Sequence, residues 1–447
     1  MVHLEYVFDR AKDLLKRPFV RYVLLGLTSL IFGFLSFKYV FLKSANPIDE
    51  LYQCAVPSMI YVPPMINKVI AIQEEEFMTR RERLASTLAS ENVDAFVMEP
   101  TISMNYYANV SSNAWGLSER PFLGIVFADE ESSGTTVFFL LPKFELPRAK
   151  ELVGDKLFAK YITWDEDENP YQVLYDILGP SKLMIDGTVR NFIAQGLQQN
   201  GFEIVGLSQN VSSLREIKSN AEIDIMFRVN IATISVIRSI QPCLKPGITE
   251  LHLAETINRL FNYGGLPSQD SPIVLFGERA AMPHGMPSER SLNKNEFALI
   301  DIGTELLGYH SDCTRTVLPN DQKMTEEMEK IWNIVFKAQT AGINALGNSN
   351  RTSCASVDQI ARDVIREAGY GDYFTHRLGH GLGLEEHENT YLNSANNNTY
   401  VQKGNIFTVE PGIYIPNKIG VRIEDAVLVS DLPVLLTNFR ANSPYEP

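Results

Sequence analysis

The sequence predicts an α+β protein of two domains behind one N-terminal membrane-spanning helix. Its 447 residues, 45% apolar and 21% charged, exceed one ordinary hydrophobic core and exclude a disordered chain. Residues 22–42 are predominantly apolar. Beyond them, short apolar strands alternate with amphipathic helices, and later strands carry acidic residues at their ends. The formal charge of −14 argues against a nucleic-acid partner, because phosphate binding needs a basic face and no long Lys/Arg run occurs.

Tyr22 to Leu42 has the length of about 20 residues that crosses a hydrocarbon layer as a helix. Its one charge, Lys38, lies near the distal end and can snorkel. Arg10, Lys12, Lys16, Arg17 and Arg21 precede it, whereas only Lys43 follows before Asp49 and Glu50. The positive-inside rule therefore makes residues 1–21 a cytosolic tail and places the body across the membrane. A cleaved signal peptide would have a shorter apolar region ending in small residues, so an uncleaved signal anchor is expected. The expected location is a single-pass protein of the endomembrane system (ER or vacuole) with its body lumenal or extracytoplasmic. The sequons at Asn109, Asn210, Asn350 and Asn397 agree with a glycoprotein.

Pro47, Pro57, Pro63 and Pro64 with few periodic signals predict a stalk over 43–73. Cys54, Cys243, Cys313 and Cys354 are too few and scattered for a disulfide framework or a zinc knuckle. Cys313 reads as a packed side chain, and one bridge among the others stays open.

From Glu74, apolar Phe77, Leu84, Leu88 and Val93 share a helical face. A strand at Asp94 to Met98, the runs GIVFA, TTVFFLL and KLMID, and a helix from Asn191 complete an α/β domain over 74–212. The second domain, 213–447, opens with Ser219 and Glu222 at capping-box spacing, and Ile223, Met226, Val229 and Ile234 recur at helical intervals. Helices are expected at Thr249 to Tyr263, Thr325 to Leu346 and Ser356 to Gly369, strands at Ile273 to Phe276 and Phe297 to Ile302, and further strands at the C-terminus. Asn393 to Asn398 reads as a surface loop.

Five residues stand out in this half: Asp301, Asp312, His380, Glu410 and Glu424. Four carboxylates with one imidazole suit two divalent first-row ions, because carboxylates bridge metals and neutralise their charge. Phe297 to Asp301 delivers a carboxylate at a strand end, and Gly303 and Gly308 let the chain turn back. A returning strand is expected to present His310, Asp312, Thr314 and Thr316 on one face. By the same alternation Glu410 shares a face with Thr408, and Glu424 with Arg422. The bland readings are a solvated hairpin and an Arg422 to Glu424 surface ion pair, which the apolar neighbours Val421, Ile423 and Val427 disfavour. His380 lies among Gly379, Gly381 and Gly383, which permit close backbone approach, with His376 and His387 near it in the sequence and His284 well upstream.

The segments HRLGHGLGLEEHE, FTVEPGIYIP and GVRIEDA resemble the creatinase/aminopeptidase P/prolidase family of metallopeptidases (peptidase M24, pita-bread fold). The resemblance runs from about residue 75 onward and departs from the signature at Glu386, where an Ile or Val is usual. It implies a C-terminal pita-bread catalytic domain behind a smaller creatinase-type domain. It carries the five metal ligands onto Asp301, Asp312, His380, Glu410 and Glu424, catalytic-pocket roles onto His284 and His387, and a proline-peptidase Arg onto Arg422. It implies a dinuclear exopeptidase attacking its peptide substrate, at an Xaa-Pro bond, with a metal-bridging hydroxide. Two divalent ions per subunit are implied, Mn²⁺ favoured, with Co²⁺ or Zn²⁺ allowed by the ligand types. Glu410 would also shuttle a proton, and Arg422 would brace Glu424 or meet a substrate carboxylate. Relatives often dimerise, so a homodimer is an expectation. The competing readings are a catalytically inactive pita-bread binding module and metal-free, creatinase-like hydrolysis, both disfavoured by the intact ligand set.

Overall fold

The computed structural model describes residues 47–128, 136–154, 158–268, 272–347 and 351–447. The expected cytosolic tail, the membrane span at 22–42 and Asn350 lie outside the described residues. Among the described residues no helix is long and apolar enough to cross a membrane.

The first domain contains β1 (Ala95–Met98), β2 (Leu123–Phe127), β3 (Val137–Pro142), β4 (Ala159–Trp164), β5 (Lys182–Ile185) and β6 (Glu203–Val205), in one sheet of order β4-β3-β2-β1-β5-β6. Strand β1 runs antiparallel to β2 and parallel to β5. Its continuous apolar sequence AFVM is buried throughout, as expected for a central strand covered on both faces. Alternation divides it between two cores. Ala95 and Val97 join Leu174, Ile193 and Leu197 from the helices Pro170–Leu178 and Asn191–Gln199. Phe96 and Met98 join Leu84 and Leu88 of the helix Glu74–Ser90.

The second domain has two halves, each pairing helices with antiparallel sheet. In the first, the helices Asn220–Ile240 and Glu250–Tyr263 share a core with β7 (Ile273–Phe276), β8 (Ala298–Ile302), β9 (Glu305–Leu306), β10 (Tyr309–His310) and β11 (Cys313–Val317). In the second, Glu326–Ala345 and Cys354–Glu367 pack on β12 (Gly379–Gly381), β13 (Glu388–Leu392), β14 (Ile406–Val409), β15 (Gly412–Ile415), β16 (Ile419–Arg422), β17 (Asp425–Leu428) and β18 (Val434–Leu435). The sheet orders are β11-β8-β7 and β13-β12-β14-β17-β18, with β9-β10 and β15-β16 as separate pairs. The expected capping box forms: Ser219 Oγ accepts from the Glu222 amide at 3.2 Å, and the Glu222 carboxylate accepts from the Ser219 amide at 2.8 Å. Such a cap stabilises the helix start by about 1 kcal/mol.

A buried ionic group joins the domains. Arg80 of the first donates to Tyr106 O at 3.0 Å and pairs with Glu76, while Tyr309 donates to Glu222 at 2.9 Å beside it. Ser219 Oγ donates to Glu76 at 2.8 Å.

Three expectations are corrected. Residues 47–73 are not a stalk. A helix at Pro47–Ala55, a 3-10 turn at Val56–Met59 and a helix at Val62–Ile66 lie along the helix Asn220–Ile240, burying Leu51, Ala55, Met59, Val62 and Ile66. Each large apolar side chain so buried contributes about 1.5–3 kcal/mol. Asp49 pairs with Arg259 at 2.8 Å, and Cys54 forms a disulfide with Cys243. Cys313 and Cys354 are free and buried. Second, the returning strand is broken: Ser311 and Asp312 leave the ladder between β10 and β11, and Ser311 Oγ instead accepts from the Thr304 amide at 3.0 Å. Third, VRIEDA is not one strand, since the Glu424 amide bonds to Thr314 O at 3.0 Å and turns the chain from β16 into β17.

Prediction: non-reducing peptide mapping recovers Cys54 linked to Cys243, and replacing both by Ala costs about 2–4 kcal/mol, because the cross-link closes a long loop in the unfolded chain. An unchanged melting temperature would show that it constrains nothing.

Candidate metal centre

The register of β8 against β11 pairs Asp301 with Thr314, which sets the acid at a strand end next to a polar neighbour. Asp312 follows in the break before β11, with the chain held close because a Cβ on Gly303 would lie 2.4 Å from Ser311 O. In the other half, β12 carries His380 and β14 ends at Val409, immediately before Glu410. The glycines around His380 serve strand crossing rather than approach to the site: a Cβ on Gly379 would meet Thr408 O at 1.9 Å, and one on Gly383 the Glu388 carboxylate at 2.4 Å.

All five residues converge. Donor atoms of His380, Glu410 and Glu424, of Asp301, Asp312 and Glu424, and of Asp312, His380 and His387 each lie within 4.8 Å of one another. His380 Nε2 stands 3.5 Å from both Asp312 Oδ2 and Glu410 Oε1. Its Nδ1 lies 3.0 Å from Gly381 O, which only accepts, so Nδ1 carries the proton and the Nε2 lone pair is free to ligate. The Thr314 hydroxyl donates to Glu424 Oε2 at 2.6 Å, while Glu424 Oε1 is buried without a hydrogen-bond partner among the described residues. A buried carboxylate oxygen so placed needs a cation or a proton.

Arg422 is 2% exposed and braces Asp301 rather than Glu424: Nη2 donates to Asp301 Oδ2, Nη1 to the Tyr414 hydroxyl at 2.8 Å, and Nε to Thr314 Oγ1 at 3.1 Å. Tyr414 in turn meets His376 Nε2 at 2.8 Å, and His376 Nδ1 meets Arg377 O at 2.7 Å. His387 presents its ring edge-on to His380 with centroids 4.2 Å apart, and exposed His284 lines the same cavity of about 1130 Å³. The structure thus brings together every residue expected at the site. Sequence reasoning missed Tyr414, whose alternation with Gly412 along β15 was a usable signal, and Asn113, which reaches the cavity from the first domain and left no local trace.

Like charge dominates the electrostatics. Burial first, and then Asp301, Glu386 and Glu410, hold the Asp312 carboxyl well above the usual carboxylate range. Burial and the neighbours Asp312 and Asp301 do the same to Glu424, as burial and Glu424 do to Glu410. Burial, with His387, lowers His380 to about 3, and burial, with Arg422, lowers His376 to about 3, so both imidazoles are neutral. The donor set therefore fits divalent ions: oxygen-rich, one neutral imidazole, and carboxylates that hold protons in the ions' absence.

Prediction: ion binding displaces those protons. Carboxyls raised in the metal-free fold contribute stability below their unfolded pKa and lose it as pH rises through the native values, so the melting-point gain on adding Mn²⁺ should grow from about pH 5.5 to about pH 7.5. Calorimetry in buffers of different ionisation enthalpy should record net proton release; proton-neutral binding would contradict it.

Comparison with known proteins is consistent with this geometry. The family model described as metallopeptidase family M24 matches residues 224–431. An uncharacterised peptidase of Schizosaccharomyces pombe is 66% identical over 451 residues, covering 100% of both chains. A dipeptidase from Pyrococcus horikoshii superposes with a TM-score of 0.69 at 31% identity, covering 80% of this chain and 97% of that one. Prolidase from Pyrococcus furiosus superposes with a TM-score of 0.67 at 27% identity, covering 80% and 99%.

Proposed function

Because the chain belongs to metallopeptidase family M24, with its α+β pita-bread fold, we propose that it is a dinuclear metal-dependent exopeptidase hydrolysing Xaa-Pro bonds of short peptides. One observation carries the reading: five ligand-competent side chains from two half-domains converge around a buried carboxylate oxygen that no hydrogen-bond donor satisfies among the described residues. Proline preference is supported by the prolidase likeness and by Arg422 in its motif.

Asp301, Asp312, His380, Glu410 and Glu424 would hold the two ions. Bound divalent ions supply Lewis acidity and activated water at neutral pH, with Mn²⁺ the favoured identity. Around them the protein positions and protects. Arg422, Tyr414 and Thr314 fix the carboxylates of Asp301 and Glu424 in orientation. His284 and His387, on the cavity wall, can donate hydrogen bonds to the oxyanion and the scissile peptide. Glu410, whose carboxyl burial and Glu424 push upward, can hold a proton and pass it toward the leaving nitrogen.

We further infer that residues 22–42 anchor the protein and that its body faces the lumen. The Cys54–Cys243 bridge supports this, since disulfides persist in oxidising compartments. Asn109, Asn210 and Asn397 are exposed, as acceptors must be.

Prediction: a panel of Xaa-Pro dipeptides, Xaa-Pro-containing tripeptides and proline-free controls is hydrolysed only with added metal, and preferentially at Xaa-Pro. Asp312→Ala or His380→Ala should lower kcat at least about 1000-fold with the fold kept, as each removes a ligand rather than core packing. Retained activity in either variant would refute the centre. A separate expectation concerns topology: endoglycosidase should increase the mobility of the protein isolated from its host, and absence of any shift would count against a lumenal body.

A further inference from the structure

Residues 385, 386 and 388 are all glutamates, and two of them are spoken for. Glu385 pairs with Arg215 at 2.8 Å. Glu388 pairs with Lys218 at 2.6 Å, both side chains nearly fully buried, and its other oxygen accepts from the Leu384 amide at 2.9 Å. Both cations belong to the segment that links the two domains, so the linker clamps the 384–388 loop at two points. What the clamp holds out into the cavity is His387 and Glu386.

Glu386 has no hydrogen-bond or ion-pair partner for its carboxylate among the described residues. Its Oε1 would lie 3.8 Å from a Cβ placed on Gly303, two residues beyond Asp301, and its charge acts on Asp312. Glu305 also lines the cavity, with His310 Nε2 3.9 Å from its carboxylate. Of the cavity's guanidinium groups, Arg422 is bonded to Asp301, and Arg377 lies where its charge reaches His380, His387 and Glu410; neither is bonded to Glu386. Glu386 therefore stands on the cavity wall as a carboxylate to which none of the described cations is bonded. An unpaired carboxylate at such a place attracts a cationic group that enters the cavity.

Resting on the exopeptidase reading above, we propose that Glu386 is a specificity residue, forming a subsite for a cationic group on the N-terminal residue of the substrate. That cation is either the α-ammonium or a Lys or Arg side chain, and both would pair with the same carboxylate. The double clamp makes this carboxylate preorganised, so a pairing cation gains contact without the cost of ordering the loop. The resemblance places an apolar residue at this position, and an apolar wall offers a cation nothing.

The test compares wild type with Glu386→Val on Lys-Pro, norleucyl-Pro, Ala-Pro and acetyl-Ala-Pro, with bound metal measured in both proteins. If the side chain is the cation, wild type favours Lys-Pro over norleucyl-Pro by about tenfold in kcat/KM and the variant by about one. If the α-ammonium is the cation, the variant raises KM for Ala-Pro by about tenfold, while acetyl-Ala-Pro distinguishes the two proteins not at all. Equal ratios and equal KM values in both proteins overturn the proposal. So does loss of metal from the variant, which would make Glu386 part of the metal centre instead. Calorimetric titration of both metal-loaded proteins with lysine amide and norleucine amide reads the subsite without turnover: weaker binding to the variant supports it, and unchanged binding of both amides overturns it. Hydrolysis of none of the peptides would sink the exopeptidase reading alone, leaving these titrations to decide on Glu386.

Discussion

Mutual repulsion among four closely packed carboxylates is the constraint on which the rest of this structure turns. Asp301 and Asp312 come from one half of the second domain, Glu410 and Glu424 from the other, and they meet where both halves end their strands. Within the protein, Arg422 is the cation bonded among them, and its charge is committed to Asp301. Taking such groups out of water is costly unless cations or protons accompany them. The seam between the halves is also where the Glu424 amide reaches Thr314 O, so the centre and the junction are one object. An ion bound there would hold the halves together as well as serve chemistry.

Much of this was legible locally. An acid that closes a short apolar strand is costly unless paired or bound, because burial leaves the carboxylate few ways to be stable, and the structure places Asp301 and Glu410 at strand ends as their alternation implies. The capping box at Ser219 and the long helix behind it also follow from near-neighbour chemistry. What sequence could not supply is partnership across distance. Arg422 looked like a neighbour for Glu424 because they lie two residues apart, yet the chain turns between them and the guanidinium finds Asp301 in another sheet. Lys218 and Glu388 likewise meet across 170 positions. Asn113 comes from a different domain altogether, where no periodicity could announce it.

The misread stalk has a specific cause. Prolines suggest an extended segment when periodicity is weak, but here they open successive short helical turns, a position where the missing amide costs nothing. Leu51, Ala55, Met59, Val62 and Ile66 then fall on one side at spacings of three or four, interrupted only by changes of axis. Cys54 joins the far end of the helix Asn220–Ile240 through Cys243. If residues 22–42 span a membrane, only residues 43–46 separate them from this docked segment, so the catalytic body would sit at the membrane surface rather than at the end of a tether.

The hydrogen bonds also narrow which groups can move protons. His380 spends its Nδ1 proton on Gly381 O and is held neutral by burial, leaving Nε2 as a lone-pair donor with no proton to give. His376 is neutral as well and engaged at both nitrogens, donating to Arg377 O and accepting from Tyr414, whose hydroxyl receives Arg422. That chain runs one way, from guanidinium to carbonyl, and reversing it would leave a buried donor unmatched. It fixes geometry and conducts nothing. Glu410, by contrast, is raised toward neutrality by burial and Glu424, and it stands at a strand end with its carboxylate facing the cavity. It shares that upward shift with Asp312 and Glu424, so the protons of the metal-free centre belong to the carboxyl cluster as a whole.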